Sequence, residues 1–314
     1  MSEIIGHKEA LDFFDKVIAN NNLSHAYCFI GPEQIGKRKV AEEIAAELLV
    51  VSRDKLSVQP DYTVVEQGFD EKTGKSKRDI SVEQMRDLRY SLTRHSFTGG
   101  YKVAAIDDAE KMSIEAANAL LKTLEEPTPR TVLFLITVDE EKLPETILSR
   151  CQRIYFHPVK KKELASYLQK QGIDRPELVN LAQGLPGRLI DWLEKEEKFT
   201  EYKAEADRFL SMIGQPFFSK LKLVEELFGE KGGDTIMTRE NLDSVLGLWQ
   251  ILTRDICLTA AGLASEAVNQ IKISTGNRTK SWVALEKQIV KARNLLSQNI
   301  HPRLVVENIL LNLP

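Results

Sequence analysis

Gly31-Pro32-Glu33-Gln34-Ile35-Gly36-Lys37-Arg38 satisfies the phosphate-binding pattern G-x-x-x-x-G-K-[ST] at every position but the last. In that pattern the glycines let backbone N–H groups turn inward around phosphate, the lysine reaches the outer phosphates, and the final hydroxyl ligates Mg²⁺. Arg38 puts a guanidinium where that hydroxyl is needed, and a guanidinium cannot ligate a cation. Gly31, Gly36 and Lys37 are therefore candidate nucleotide contacts, while Arg38 marks a loop built to bind and unable to cut. Context separates this run from a chance match. Ala26 to Ile30 is an apolar run of strand length, and Val40, Ile44, Ala45, Leu48 and Leu49 recur at helical spacing, giving the strand, loop, helix order that the motif requires.

The same alternation continues outward. Strand-like runs at Ala26 to Ile30, Tyr62 to Glu66, Val103 to Ile106, Val132 to Thr137 and Arg153 to Phe156 are separated by helix-like stretches near 7–20, 37–51, 81–94 and 113–126. This predicts an α/β fold with a doubly wound parallel sheet over residues 1–158. The third helix opens with Ser81 and Gln84 in capping-box register. Asp70 to Asp79, with Thr73-Gly74 at its centre, reads as a polar hairpin or surface loop. Beyond Phe156 the strand signal largely disappears: residues 159–202 read as a small helical unit and 203–314 as a larger one. The apolar faces of the latter include Leu242, Val245, Leu246, Trp249 and Leu252, then Leu304, Val305, Ile309 and Leu310, with breaks expected at Gln215-Pro216 and at Gly229 to Asp234.

Composition sets limits on function. At 314 residues, 42% hydrophobic and 28% charged, the chain has the make-up of a globular protein of two or three domains. A net charge of −3 argues against coating nucleic acid by bulk electrostatics and confines any DNA contact to a local basic face. No apolar run approaches the ~18 residues of a membrane span, and Glu3, His7, Lys8, Glu9 and Asp12 interrupt the start where a signal peptide would be apolar. No membrane association and a cytoplasmic location are expected. Cys28, Cys151 and Cys257 lie far apart with no C-x-x-C pair, which indicates neither a disulfide framework nor a metal site. Cys28 and Cys257 are expected to be buried thiols.

A second run bears on the loop. Lys102-Val103-Ala104-Ala105-Ile106-Asp107-Asp108 has the form of a Walker B strand, whose terminal carboxylates face the phosphate site. In working ATPases the first acid supports Mg²⁺ and the second, usually Glu, positions the attacking water. Asp108 is one methylene shorter than that Glu, a second departure on the same catalytic pathway. A buried strand ending in a helix cap would place acids at the same spot.

Three further runs carry a family likeness: Ala116-Ala117-Asn118-Ala119-Leu120-Leu121-Lys122-Thr123-Leu124-Glu125-Glu126-Pro127, then Leu148-Ser149-Arg150-Cys151, then Gly184-Leu185-Pro186-Gly187-Arg188. With them the sequence resembles the bacterial clamp-loader branch of the AAA+ proteins. The likeness extends to Asn299-Ile300-His301-Pro302-Arg303-Leu304 and the apolar helix that follows. The resemblance implies an AAA+ α/β base at 1–158, a helical lid at 159–202 and a helical collar at 203–314 through which subunits assemble. It also implies that Arg150 is an arginine finger entering the ATP site of a neighbouring subunit, a task suited to a planar, permanently charged fork. Thr137 takes the sensor-1 position and Arg188 the sensor-2 position.

The partners the resemblance implies are gamma/tau-type and delta-type clamp-loader subunits, the sliding clamp and, through the complex, primer-template DNA. Hydrolysing relatives carry Thr or Ser at the position of Arg38 and Glu at that of Asp108, so a member without its own ATPase activity is implied, with ATP binding at Lys37 weak or absent. An autonomous ATPase motor with an unusual loop, and a binding module gated by unhydrolysed nucleotide, stand as alternatives. The cysteine zinc module of many relatives has no counterpart in Val50 to Pro60. Arg86, Arg89 and Arg94, with His95 beyond them, lie over Met85, Leu88 and Leu92 on the helix that the family turns toward DNA. A solvated helix face would have the same composition.

Overall fold

Ala26–Ile30 (β1), Tyr62–Val65 (β2), Lys102–Ile106 (β3), Thr131–Thr137 (β4) and Gln152–Tyr155 (β5) form one parallel sheet in the order β2-β3-β4-β1-β5. The structure is a computed structural model describing residues 4–68, 77, 79–228, 235–269, 271, 279–296, 298 and 300–314. It divides into two compact units, Met1–Ile190 and Asp191–Pro314.

In the first unit the helices are Lys8–Ala19 (α1), Lys37–Leu49 (α2), Val82–Thr93 (α3), Ile114–Glu125 (α4), Glu145–Leu148 (α5), Lys161–Lys170 (α6), Pro176–Leu181 (α7) and Pro186–Glu194 (α8), the unit boundary falling within α8. The central strands β1, β3 and β4 are buried along their whole length and read as largely apolar runs because both sheet faces are covered there, whereas β2 is half-buried and the edge strand β5 is mostly exposed. Ala26, Cys28, Ile30, Ala104, Ile106, Leu133 and Leu135 point to one core, shared with α3 and α4. Tyr27, Phe29, Val103, Ala105, Val132, Phe134 and Ile136 point to the other, shared with α2 and Phe14 of α1. The register sets Tyr27 beside Phe134, whose rings stack at 5.8 Å.

Local signals fix the helix starts. Ser81 and Gln84 form the reciprocal capping box of α3, and Ser113 caps α4 by accepting from Ala116 N; each cap contributes about 1 kcal/mol. Cys28 is buried, and burial pushes its thiol pKa up to about 12; the half-buried Cys151 is pushed to the same value by the same cause. Cys257 is half-buried rather than buried as the sequence suggested, because it lies at the margin of the second unit's core. Of the expected hairpin at Asp70 to Asp79, only residues 77 and 79 are described.

The second unit contains Glu196–Met212 (α9), Phe217–Val224 (α10), Thr235–Ala260 (α11), Thr279–Leu296 (α12) and Pro302–Asn312 (α13). Gln215-Pro216 separates α9 from α10 as expected; the expected break at Gly229 to Asp234, and Asn299, lie outside the described residues. Phe209, Leu242, Leu246, Trp249, Leu252, Trp282, Ile289, Val306 and Leu310 share one core. Buried polar groups lock its corners. Glu205 accepts from Trp249 Nε1 at 2.7 Å, Asp255 accepts from the backbone N of Val268 and Asn269, and Lys220 Nζ donates to Leu313 O at 2.6 Å. Among the described residues no helix is long and apolar enough to cross a membrane.

Candidate functional site

The Gly31–Arg38 loop leaves β1 between its two sheet neighbours, β4 and β5, beyond the carboxyl ends of the strands where α/β proteins place ligands. Gly31 N donates to Thr137 O at 3.2 Å. A Cβ on Gly31 would sit 2.5 Å from Phe156 O, so the entry to the loop admits no side chain. Gly36 opens α2 at φ 105°, a conformation that L side chains rarely adopt. Lys37 is the first residue of α2 and is buried. Its Nζ turns back on the loop, donating to Gly31 O at 2.5 Å and Pro32 O at 2.8 Å. Burial lowers its pKa, opposed by the carboxylates of Glu110, Asp107, Glu33 and Asp108. The ammonium thus has internal oxygen partners and negative neighbours without a phosphate.

Arg38 is held by three carboxylates. Its Nε donates to Glu42 Oε1 at 3.1 Å, and its Nη1 donates to Glu66 Oε2 at 2.6 Å and to Asp107 Oδ2 at 2.9 Å. Burial opposes the charge, but the hydrogen bonds to Glu66, Asp107 and Glu42 outweigh it and raise the guanidinium pKa above its ordinary value. The cation next to the Walker B acid is therefore a side chain. A divalent ion at Asp107 would meet that fixed positive charge, so the residues present do not fit the Mg²⁺ that a P-loop ATPase requires.

The other loop-side positions are engaged locally. Asp108 adopts a left-handed conformation, φ 48°, and its carboxylate pairs with Lys111 at 3.2 Å. Thr137 ends β4 beside Ile30 and is buried; its Oγ1 donates to Asp139 O at 3.0 Å and accepts from Asp139 N at 3.2 Å. Arg188, in the first turn of α8, reaches the loop: its Nε donates to Gln34 Oε1 at 3.2 Å, and the neighbouring Gly187 N donates to Gln34 O at 2.7 Å. The structure thus brings Gly31, Gly36, Lys37, Arg38, Asp107, Asp108, Thr137 and Arg188 to one end of the sheet.

Arg150 is not among that set's hydrogen-bond partners. Following α5, it donates through Nη2 to Glu125 Oε1 at 2.8 Å and through Nη1 to Thr146 O at 2.8 Å. Arg86, Arg89 and Arg94 are exposed, the first two on α3 and the third at its C-cap, while Met85, Leu88 and Leu92 are buried beneath. Sequence reasoning missed Glu42, Glu66, Gln34 and Glu125. Only Glu42 carried a local signal, standing one helical turn after Arg38.

The fold and site define a P-loop protein of the AAA+ class in which a guanidinium stands in the metal's place. A family profile described as "DNA polymerase III, delta subunit" matches residues 6–160. DNA polymerase III subunit delta' of Pseudomonas aeruginosa is 40% identical over 142 residues, 41% of this chain and 42% of that protein. DNA polymerase III subunit tau of Escherichia coli is 30% identical over 266 residues, 80% of this chain and 41% of that protein. The crystal structure of a DNA polymerase III gamma subunit-related protein from Thermotoga maritima shares the fold, with a TM-score of 0.52 and 20% identity over 95% of this chain and 97% of that one. Over residues 6–160 the chain belongs to the DNA polymerase III delta/delta' clamp-loader family. It spans less than half the length of the two relatives described.

Proposed function

We propose that the chain is the non-hydrolysing, delta-prime-type subunit of a bacterial DNA polymerase III clamp loader, working in the cytoplasm. It presents Arg150 to the ATP site of an adjacent gamma/tau-type subunit while the assembly places a sliding clamp on primed DNA. The observation that carries this reading is the Arg38 guanidinium on Asp107, which puts an internal cation where hydrolysis needs a metal. The 40% identity to a delta' subunit supports the same reading. A delta-type subunit is the further partner, primer-template DNA is met through Arg86, Arg89 and Arg94, and the division into base, lid and collar at 1–158, 159–202 and 203–314 belongs to the same proposal.

The wider likeness to a tau subunit favours a second reading, an autonomous motor with an altered loop. Steady-state ATP turnover by the isolated protein separates the two. The expected rate is background. Turnover near ~1 s⁻¹, against a usual enzyme median of about 10 s⁻¹, and lost in Lys37→Ala, would replace the proposal with the motor. Saturable ATP binding without turnover would instead make the chain a nucleotide-gated module.

A further inference from the structure

We propose that the exposed residues at and just after the C-terminal end of α3, Tyr90 and Phe97 with Arg89, Arg94 and His95, form a stacking platform for the unpaired bases of a DNA strand. The inference deepens the DNA contact proposed for α3 and does not depend on Arg150.

Tyr90 is 67% and Phe97 71% exposed, although each ring would gain by burial. Neither sits on a loose tip. The segment after α3 is held by buried Asp61, whose carboxylate accepts from Phe97 N at 3.0 Å, Thr98 N at 3.1 Å, Ser96 Oγ at 2.9 Å and Thr98 Oγ1 at 2.9 Å. From the other side, the buried ammonium of Lys102 donates to Ser91 O at 2.6 Å and to Arg94 O, closing the helix end. Arg130 Nη1 adds a bond to Gly99 O at 3.1 Å. Burying charges is costly unless they are well partnered, and here two are spent on a short segment that holds a phenyl ring in water. A backbone fixed in advance leaves mainly the ring's own rotation to be lost on binding.

Charge identifies the occupant. On α3 the exposed flank that carries Tyr90 also carries Glu83, Arg86 and Asp87, so positive charge prevails only toward the helix end, where Arg89 is exposed and the Arg94 guanidinium lies over the Tyr90 ring, 5.8 Å from its centroid. Cations beside aromatic faces match a strand that alternates phosphates with bases, because phosphates take the guanidinium groups and each base offers a π-face. Base faces inside a duplex are already stacked, so the rings select unpaired nucleotides.

The test uses the full chain with oligo(dT) of about 16 nucleotides and a duplex of equal length. Trp192, Trp249 and Trp282 are at most 5% exposed, so in Phe97→Trp the new indole dominates the quenchable fluorescence. Saturable quenching by oligo(dT), several-fold weaker with duplex, is expected. Tyr90→Ala and Phe97→Ala should each weaken binding roughly 5- to 150-fold at unchanged salt slope, whereas Arg89→Ala should reduce the slope by about one. Binding without quenching, equal affinity for duplex, ring variants that bind like wild type, or no quenching up to ~100 µM oligonucleotide would each overturn the platform. Finger-dependent ATP turnover in the assembled loader reads Arg150 separately, so either idea can fail alone.

Discussion

Arg38 and Arg150 expose nearly the same fraction of their side chains, 37% and 36%, yet they are held in opposite ways. Arg38 is gripped by carboxylates from α2, from the end of β2 and from the end of β3. Among the described residues Arg150 has one carboxylate, Glu125, with the Thr146 carbonyl and the Ser149 hydroxyl of its own preceding turn. On the proposed reading, exposure does not separate a fixture, Arg38, from a tool, Arg150; the number of independent elements holding the guanidinium does. Three partners from three elements fix the Arg38 guanidinium against Asp107 at the end of β3. A single surface ion pair, worth about 0–1 kcal/mol, can be exchanged for a phosphate, which offers the same bidentate geometry as a carboxylate.

The comparison breaks most visibly at Arg150. In a loader reconstituted with wild-type motor and delta-type subunits, Arg150→Ala should leave assembly and melting temperature intact while lowering DNA- and clamp-stimulated ATP turnover. Arginine fingers contribute roughly 10³–10⁵ in rate; because several fingers share the work, a loss of about ten-fold or more per complex is expected. Arg150→Lys should restore little, since it keeps the charge and loses the planar fork. Unchanged turnover in a fully assembled complex would reduce Arg150 to a surface residue tied to Glu125.

Arg38→Thr gives the next largest effect, and it falls on stability. Glu42, Glu66 and Asp107 lose their common cation, at a cost of about 1–2 kcal/mol after allowance for the partial exposure of the cluster, read from urea denaturation. Millimolar Mg²⁺ should recover part of that loss in the variant and leave the wild type unchanged, because only the variant leaves the acids open to a metal. ATP hydrolysis should not appear, since Asp108 remains short and paired with Lys111. A variant as stable as wild type and indifferent to Mg²⁺ would place Arg38 in the same category as Arg150.

What the sequence disclosed follows the range of the forces involved. The centre of the sheet was readable because β1, β3 and β4 are buried on both faces and so appear as apolar runs; β3, β4 and β5 begin one residue earlier than expected, at Lys102, Thr131 and Gln152. Lys102 is buried because it closes the end of α3, eleven residues back, and Thr131 because its Oγ1 is partnered by Thr128 Oγ1 at 2.7 Å, so neither polar side chain reads as part of an apolar run. Glu66 meets Arg38 because parallel pairing sets Val65 beside Ile106 and hence Glu66 near Asp107, a register that only the folded sheet fixes. In α11 the apolar spacing identified Leu242, Leu246, Trp249 and Leu252, while Val245 lies half-buried at the core's edge. In α13 the periodicity failed at Leu304, which is 61% exposed, because a helix apolar on most sides does not reveal which side is packed. Asp61, Glu205, Lys220 and Asp255 were missed altogether; each is a buried charge whose partners lie mostly far along the chain.

The smallest expected effect gives the finest discrimination. Glu125→Ala removes the one carboxylate on Arg150 among the described residues. Both residues are partly exposed, so stability should change by less than about 0.5 kcal/mol. If the pair is a resting place for a mobile finger, freeing Arg150 should leave stimulated turnover unchanged or raise it by at most about five-fold, the rate equivalent of a surface ion pair. The double variant with Arg150→Ala should then match Arg150→Ala alone, because Glu125 would act only through the arginine. If Glu125→Ala instead lowers turnover as far as Arg150→Ala does, the ion pair positions the finger. Arg150 would then resemble Arg38 in needing its carboxylate partner, and the distinction between fixture and tool would fail at the residue where it matters most.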